Sequence, residues 1–209
     1  MHRGQVSNAV IRRMPKYYRC LNELCKDGVT KISSRALAEY MGLTASQIRQ
    51  DFNCFGGFGQ QGYGYNVETL MAEIASIIGI STKHKAVIVG VGNIGHALLQ
   101  NFNFAKCGFE ISCAFDLGED IVGTTVAGIP VLHPDKLEEY AKDNPFEVAI
   151  LTLPKKAAPD MAERLVKLGV RGIWNFVNVD LKVKHPNIVI EDVHFADSLM
   201  TLCYQITEE

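Results

Sequence analysis

The stretch Ala86-Val-Ile-Val-Gly-Val-Gly-Asn-Ile-Gly95 places a run of buried-type aliphatic residues directly before the pattern Gly-x-Gly-x-x-Gly. Between a strand and a helix, this pattern is typical of a dinucleotide-binding turn. Gly90 permits the tight turn, Gly92 lets the backbone approach a pyrophosphate, and Gly95 allows close packing of helix on strand. The following helix, expected to run to about Ala105, would direct its first N–H groups at the phosphates.

An acidic residue follows at the distance at which this kind of fold binds a ribose. Residues 110–115 predict a second strand, and Asp116 comes directly after it, 21 residues beyond Gly95. A carboxylate at this position can accept hydrogen bonds from the ribose 2′-OH and repels a 2′-phosphate. The spacing therefore favours NAD(H) over NADP(H). A surface aspartate at a strand end is the alternative.

The rest of the chain alternates strands and helices. Strands are predicted at residues 129–132, 147–153, 172–176 and 188–190, and helices at residues 135–142, 158–168 and 192–206. This alternation predicts a doubly wound parallel α/β sheet, which binds ligands at the carboxyl ends of its strands. Thr152, Leu153, Pro154, Asn175 and Phe176 are therefore candidate cofactor contacts, with simple termination of the sheet as the alternative. The last helix carries an apolar stripe suited to packing on another element.

The first eighty residues predict a separate helical domain. Apolar periodicity predicts a helix over residues 7–27, and good N-cap residues at Ser33-Ser34 and Thr44 begin two shorter helices. Gly42 separates the two short helices, as expected for a left-handed helix end. This succession is a helix-turn-helix.

The third helix would present a polar face. Ala45, Ile48 and Phe52 are predicted to face inward, which leaves Ser46, Arg49, Gln50 and Asn53 outside. These side chains can hydrogen-bond base edges or phosphates in a major groove, although a merely solvated face is the alternative. On the first helix, Arg12 and Arg13 are further candidates for DNA contact.

A glycine-rich segment follows the third helix. Residues 55–65 contain five glycines and four aromatics, a composition that favours a tight hairpin anchored by its rings. A hairpin at this point would be the wing of a winged helix, with Gln61 and Tyr63 as candidate DNA contacts. An apolar helix over residues 67–78 would cover this domain or pair with a second copy. The predicted domains are residues 1–80 and 85–209.

The charge distribution agrees with this division. Residues 1–60 contain nine Lys and Arg against four Asp and Glu, and the remaining 149 residues contain twelve against nineteen. The first part therefore has a balance of +5 and the second −7. A basic front on an acidic body suggests that the front meets a polyanion.

Several other classes of protein are not favoured. No apolar run approaches the roughly 18 residues of a membrane span, and the N-terminal segment lacks the apolar core of an export signal. The six cysteines form no Cys-x-x-Cys pair, which argues against a disulfide framework or a zinc site. We expect a cytoplasmic protein with reduced thiols, no metal and no membrane partner.

The second domain favours binding over catalysis. A dehydrogenase needs a second substrate pocket and a general acid or base, whereas about 125 residues are nearly consumed by the nucleotide fold. No histidine lies in a motif that pairs it with an acid. Two other classes stay open: a small NAD-dependent oxidoreductase with an accessory helical domain, and a regulatory subunit that binds CoA or another nucleotide.

Over nearly its whole length the sequence resembles the Rex family of redox-sensing transcriptional repressors. The segments that carry the resemblance are Met14-Pro-Lys-Tyr-Tyr-Arg19, Ile32-Ser-Ser34, Gln47-Ile-Arg-Gln-Asp-Phe52, Gly62-Tyr-Gly-Tyr-Asn-Val67, Gly90 to Gly95, Phe115-Asp116, Ile150-Leu-Thr-Leu-Pro154 and Asn175-Phe176. The resemblance implies a homodimer that exchanges its C-terminal helix, about residues 191–209. It also implies a repressor that binds an inverted-repeat operator, is released by NADH and so responds to the NADH/NAD⁺ ratio.

The resemblance also implies roles for particular residues. Recognition-helix contacts fall on Ser46, Arg49 and Gln50, and the wing on residues 60–65. The pyrophosphate loop falls on Gly90, Val91, Gly92, Asn93, Ile94 and Gly95, and the ribose-binding acid on Asp116. Phe195 would be the aromatic residue near the nicotinamide across the dimer.

The sequence departs from the family pattern at three places. Gln60-Gln61 stands where the wing often carries Lys-Arg, which predicts weaker phosphate affinity. His194 stands before Phe195 where an Asp is common, and that Asp can join a switch contact to the arginine that matches Arg19. His194 would instead add pH sensitivity, because histidine changes charge near neutral pH. Asn178 ends a stretch that usually reads Asn-Phe-Ala-Pro.

Overall fold

The chain divides into two compact units, Met1–Thr82 and Lys83–Glu209. The structure, a computed structural model, describes residues 6–58, 63–182 and 187–207. Each unit contains its own cluster of buried apolar residues. Among the described residues, no helix combines the length and the apolar character needed to cross a membrane.

The first unit contains four helices and two short strands in its described part. They are α1 (Asn8–Lys26), β1 (Lys31–Ile32), α2 (Ser34–Met41), α3 (Ala45–Asn53), β2 (Tyr65–Asn66) and α4 (Val67–Ile78). Ser7, Ser33, Thr44 and Asn66 cap the four helices, each accepting a hydrogen bond from a backbone N–H in the first turn. Gly42 adopts the predicted left-handed conformation at the end of α2, with φ of 65°.

All four helices of the described part contribute to the core of this unit. Tyr17 and Leu21 of α1, Ile48 and Phe52 of α3, and Ile74 of α4 are all almost fully buried. Because α4 packs against α1 and the buried cluster of its own unit, the apolar helix predicted over residues 67–78 covers its own domain. The helix-turn-helix arrangement of α2 and α3 follows from this core.

The segment after α3, where the sequence predicts a hairpin, contributes a strand to a small sheet. Its described strand, β2, pairs in antiparallel fashion with β1, so that Ile32 lies opposite Tyr65. Strand β1 was not predictable from the sequence, because two residues carry no periodic signal. Residues 59–62, including the wing candidates Gln60 and Gln61, lie outside the described residues.

The second unit is a seven-stranded sheet. Its strands are β3 (His84–Val89), β4 (Phe109–Phe115), β5 (Thr125–Val126), β6 (Ile129–Leu132), β7 (Val148–Leu151), β8 (Gly172–Asn175) and β9 (Val189–Asp192). Their order is β5-β6-β4-β3-β7-β8-β9, and every pairing is parallel except that of the edge strand β5 with β6. Without β5, this is the order of a Rossmann sheet.

Helices lie on both faces of the sheet. They are α5 (Asn93–Asn101), α6 (Leu137–Asp143) and α7 (Ala158–Lys167), and a further helix, α8 (Phe195–Thr207), follows β9. Val87 and Val89 of β3 join a buried cluster with α7, whereas Ile88 joins a cluster with Leu99 of α5 on the other face. The predicted doubly wound α/β architecture is confirmed.

Two predicted helix boundaries are wrong. Helix α5 ends at Asn101 rather than near Ala105, because Asn103 caps a separate short 3₁₀ helix by accepting a hydrogen bond from the N–H of Lys106. Helix α8 begins at Phe195 rather than Asp192, because Asp192 belongs to β9 and lies opposite Asn175 of β8.

Helix α8 has no apolar cover within one chain. All of its residues, Phe195–Thr207, are described, and none of them is buried. Phe195, Leu199, Met200, Leu202, Tyr204 and Ile206 are each more than half exposed. The stripe that was expected to pack on another element is therefore open in the single chain.

The glycines of the β3–α5 turn make a matched test of this fold. A Cβ at Gly95 would collide with the carbonyl oxygen of Gly90 and approach Thr152 Oγ1 to 2.7 Å, whereas a Cβ at Gly92 meets nothing within 4 Å. We expect Gly95→Ala to destabilise the second unit by about 1–3 kcal/mol, the usual cost of overpacking. Gly92→Ala should melt like the wild type. Equal melting temperatures for the two variants would contradict this account of the turn.

Candidate functional site

The first part of the candidate site is the turn after β3. Gly90 has φ of 99°, and a Cβ there would lie 2.7 Å from the backbone of Thr152 and Leu153 at the end of β7. Thr152 Oγ1 donates a hydrogen bond of 2.5 Å to the Gly90 carbonyl oxygen. The chain turns in opposite directions beyond β3 and β7, and this is where open α/β sheets bind ligands.

The start of α5 lies at this point of the sheet. Gly92 is the N-cap residue, and no side chain caps this helix, in contrast to the four helices of the first unit. Gly92, Asn93 and Ile94 are exposed, so the N–H groups of the first turn face outward with no partner inside the helix. These groups and the helix dipole suit an anionic phosphate.

Asp116 is held beside this turn. Its carboxylate accepts a hydrogen bond of 2.5 Å from the N–H of Val91 and another of 2.8 Å from the N–H of Gly118. Because an ionised carboxylate offers about four acceptor positions, two further hydroxyl groups can still bind. Asp116 is therefore fixed in orientation while it keeps the capacity that a ribose requires.

The ends of β7 and β8 present their candidate residues unequally. Pro154 is exposed, and Thr152, Leu153 and Phe176 are half-buried. Asn175 is fully buried, and its amide donates to the Val179 carbonyl and the Asp192 carboxylate while accepting from the N–H of Val177. The Asn175 side chain thus ties strand ends together, and any cofactor contact there falls to its backbone.

An aromatic row runs from this edge to the last helix. Trp174, the only tryptophan, lies 4.5 Å from Phe176 between ring centroids, and Phe176 lies 6.1 Å from Phe195. Phe195 is 59% exposed. Within one chain, the predicted nicotinamide-side residues Phe176 and Phe195 are thus neighbours.

Three histidines have acidic neighbours that the sequence analysis did not expect. His84 lies 3.4 Å from Glu147, His133 lies 3.3 Å from Asp135, and His194 lies 3.4 Å from Asp180. In the described part of the chain, Asp180, Asp192 and His194 also bring three potential metal-ligand atoms within 4.8 Å of one another. His194 therefore faces acids of its own unit.

The second candidate site is the outer face of α3. Ser46, Arg49, Gln50 and Asn53 are exposed, as predicted. Arg49 donates a hydrogen bond of 3.1 Å to Ser34 Oγ of α2, which holds its guanidinium group at the surface. Arg12 is also exposed, and Tyr63 is 78% exposed.

Beneath this face lies a charged group that the sequence analysis missed. Asp51 is only 2% exposed, and its carboxylate accepts two hydrogen bonds of 2.7 Å from Arg13 and one of 2.8 Å from the Tyr17 hydroxyl. The available signal was its position three residues after Ile48, on the inward face of the helix. Arg13, a candidate DNA contact from sequence, is thus engaged inside the unit.

The electrostatics of this group follow from burial and hydrogen bonding. Burial disfavours the charged form of Asp51, but the hydrogen bonds from Arg13 and Tyr17 outweigh it, so its pKa lies below the ordinary value. The same contact raises the pKa of Arg13, and burial together with Asp51 raises the pKa of Tyr17. At neutral pH the three groups form a carboxylate bound by a guanidinium and a phenol.

These features define a class of protein: a DNA-binding helix-turn-helix on a chain that also carries a dinucleotide-type sheet. Residues 5–53 match a family model described as a putative DNA-binding protein N-terminus, and residues 81–179 match one described as a CoA binding domain.

Relatives of known name resolve the class further. The chain is 47% identical over 204 residues to the redox-sensing transcriptional repressor Rex of Caldanaerobacter subterraneus subsp. tengcongensis, covering 98% of this chain and 91% of that protein. It is 46% identical to the Rex repressor of Clostridioides difficile, covering 97% of this chain and 96% of that one. The chain belongs to the Rex family of redox-sensing transcriptional repressors.

Solved structures agree with this assignment. The crystal structure of RSP in complex with β-NAD⁺ and operator DNA matches with a TM-score of 0.92 and 45% identity, covering 99% of this chain and 94% of that one. The structure of RSP in complex with β-NADH matches with a TM-score of 0.89 and 42% identity, over 97% and 95% of the two chains. The fold predicted for both domains is confirmed.

The lowered pKa of Asp51 predicts acid sensitivity in the first unit. An ionised Asp51 stabilises the fold above the unfolded-state pKa of about 3.9, and that contribution is lost as the pH falls through the lower folded-state pKa. We expect the free energy of unfolding of the first unit to fall more between pH 5 and pH 3 in the wild type than in Asp51→Asn. Hydrogen exchange of the amides of α1, α2 and α3 measures this free energy. An equal loss of stability in both proteins would contradict the lowered pKa of Asp51.

Proposed function

We propose that this chain forms a homodimer that binds an inverted-repeat operator and leaves it when NADH binds, thereby repressing genes according to the NADH/NAD⁺ ratio. The single observation that carries the proposal is the match over 99% of the chain to a structure solved with both β-NAD⁺ and operator DNA. The geometry of the two candidate sites supports it independently.

The dinucleotide would be held along the carboxyl ends of β3, β4, β7 and β8. The N–H groups of Gly92, Asn93 and Ile94 would bind the pyrophosphate, and Gly90, Val91 and Gly95 would shape the turn beneath it. Asp116 would accept hydrogen bonds from the adenine-side ribose. The open space above Gly92 and the oriented carboxylate of Asp116 fit such a ligand.

The nicotinamide end would lie toward Thr152, Leu153, Pro154, Phe176 and the backbone of Asn175, and Phe195 would reach it from a second copy of the chain. NADH and NAD⁺ differ there by one positive charge and by the planarity of the ring. Discrimination between the two forms would therefore arise at the side chains that meet the ring, Phe176 and Phe195 among them. In dehydrogenases the nicotinamide ring of NADH donates a hydride to a substrate. In this chain we propose that NADH acts as a signal and is not consumed.

A second copy of the chain would cover α8. A thirteen-residue helix with no buried side chain and six exposed large apolar residues is unfavourable in water. Burying each such side chain fully is worth about 1.5–3 kcal/mol. Exchange of α8 between two subunits, which the family resemblance implies, would bury this face and bring Phe195 to the partner's nucleotide site.

DNA would be read by the exposed face of α3. Ser46, Arg49 and Gln50 carry the donors and acceptors that base edges require, and Arg12 and Tyr63 would contact the backbone beside them. In a symmetric dimer the two α3 helices must fit half-sites about 34–36 Å apart. We propose that NADH stabilises a dimer geometry in which they do not.

The switch contact implied for Arg19 stays a prediction. Arg19 is exposed on α1, while His194 lies beside Asp180 in the second unit.

The main alternative is that the second unit binds CoA or another nucleotide in place of NADH, because residues 81–179 match a CoA binding domain. Asp116 distinguishes the two, since a dinucleotide ribose needs this carboxylate and the 2′-phosphate of NADPH is repelled by it. We expect the wild type to bind NADH more tightly than NADPH or CoA, with no oxidation of NADH by carbonyl compounds.

Asp116→Ala should weaken NADH binding about tenfold or more, because it removes charge-assisted hydrogen bonds worth about 1.5–3 kcal/mol. It should also reduce the ratio of the affinity for NADH to the affinity for NADPH, because the carboxylate that repels the 2′-phosphate is gone. Titration is followed by quenching of Trp174, the single tryptophan, by the dihydronicotinamide ring. Leu117→Ala, at the 69% exposed neighbour, is the control. Unchanged NADH affinity in Asp116→Ala would show that the ligand is bound elsewhere.

The chain should bind operator DNA more weakly with NADH than without a ligand, and more tightly with NAD⁺ than with NADH. A duplex selected by the wild-type chain from a random pool is titrated at one salt concentration with NADH, NAD⁺ or neither. Equal affinity in all three conditions would end the proposal.

Arg49→Ala separates the two sites in the same assay. It should weaken operator binding by about fivefold to a hundredfold, the range for one lost base contact, and leave NADH affinity intact. Normal operator binding by Arg49→Ala would mean that the recognition face lies elsewhere.

A further inference from the structure

We propose that Asp51, Arg13 and Tyr17 form a clamp that fixes the rotation of the recognition helix α3 against α1, and that this clamp sets the discrimination between operator and other DNA. The inference rests on the proposed function. It gives Arg13 a positioning role in place of the DNA contact expected from sequence.

The clamp joins two helices at a defined angle. Arg13 and Tyr17 are four residues apart on α1 and therefore lie on one face of that helix. Both donate to the single carboxylate of Asp51 on α3, at 2.7, 2.7 and 2.8 Å. Nε and Nη2 of Arg13 bind the two carboxylate oxygens side by side, a geometry that fixes direction as well as distance.

Fixing Asp51 fixes the reading face. Asp51 directly follows Gln50 and lies two residues after Arg49, so any rotation of α3 moves all three together. A rotation that shifts Arg49 and Gln50 along a base edge must break charge-assisted hydrogen bonds of a carboxylate that is 2% exposed. Packing by Ile48 and Phe52 alone is non-directional and permits small rotations.

Stability alone does not account for this group. Buried ion pairs are often no more stabilising than well-packed apolar side chains of the same volume, and in some proteins they are retained because they specify one arrangement. The pKa of Asp51 lies below its ordinary value because of the hydrogen bonds from Arg13 and Tyr17, so the carboxylate that they bind is ionised at neutral pH. The clamp therefore contributes geometry to the recognition helix more than it contributes stability to the unit.

The variants are designed to separate position from charge and from folding. Asp51→Asn removes the charge with little change of shape, and Tyr17→Phe removes only the 2.8 Å hydrogen bond. Arg13→Met combined with Asp51→Leu replaces the ion pair by apolar side chains. Lys16→Gln, at an exposed position of α1, removes a charge without touching the clamp.

The full chain is titrated across a salt series with its selected duplex and with a scrambled duplex of equal length. We expect Asp51→Asn to lower the operator-to-scrambled affinity ratio about tenfold, comparable to one misplaced bidentate base contact. Tyr17→Phe, which keeps the ion pair, should lower it about threefold by the same reasoning. The double variant leaves the buried Tyr17 hydroxyl without its acceptor, so it should melt below the wild type but stay folded at the assay temperature, and it should still show a lowered ratio. Lys16→Gln keeps the wild-type ratio.

Two results would overturn the clamp. One is a wild-type ratio in Asp51→Asn, Tyr17→Phe and the double variant. The other is a single Arg13→Met variant that weakens both duplexes equally and lowers the salt slope by about 0.9, the value for one lost phosphate contact, while Asp51→Asn has no effect. Failure of the wild type to enrich any duplex would instead count against the proposed function, and that arm is read first.

Discussion

The second unit depends on one steric constraint, which is the close approach of β3, α5 and the end of β7 around Gly90 and Gly95. A side chain at either glycine would meet the backbone of Gly90 or of Thr152. Because this contact is made without side chains, the N-terminus of α5 lies directly beyond the sheet, and the N–H of Val91 reaches the Asp116 carboxylate. The proposed pyrophosphate and ribose positions both follow from that arrangement.

The proposed regulation requires a different kind of constraint, because in that proposal a bound dinucleotide alters how the recognition helices of two copies fit DNA. A ligand shifts such an equilibrium only by its difference in affinity for the two states. If the recognition helix could rotate within its own domain, it could still fit the DNA after the dimer geometry had changed, and the effect of the ligand on DNA affinity would be smaller. The clamp of Asp51, Arg13 and Tyr17 would keep α3 rigid in its domain, so that a change of dimer geometry is carried fully to Arg49 and Gln50.

Much of this architecture was predictable from the sequence, because the deciding signals were local. The Gly-x-Gly-x-x-Gly pattern of residues 90–95, the spacing to Asp116 and the caps Ser33 and Thr44 can each be read from a short stretch of sequence, although Gly90 and Asp116 contact residues distant in the chain. Asp51 was missed because its partners lie 34 and 38 residues away, and the buried role of Asn175 depends on Asp192 of a neighbouring strand. The pairing of β1 with β2 is likewise a long-range contact between two-residue strands. The exposure of α8 was not predictable from its apolar stripe, because the stripe does not tell whether its partner lies in the same chain or in another.

The central claim is that dinucleotide and operator are linked through one protein equilibrium, and linkage makes that claim reciprocal. The most direct test is the NADH affinity of the full chain measured with and without saturating operator duplex, at the salt used for DNA binding. The account predicts that operator weakens NADH binding by the same factor by which NADH weakens operator binding. An NADH affinity that is unchanged by the operator would contradict it.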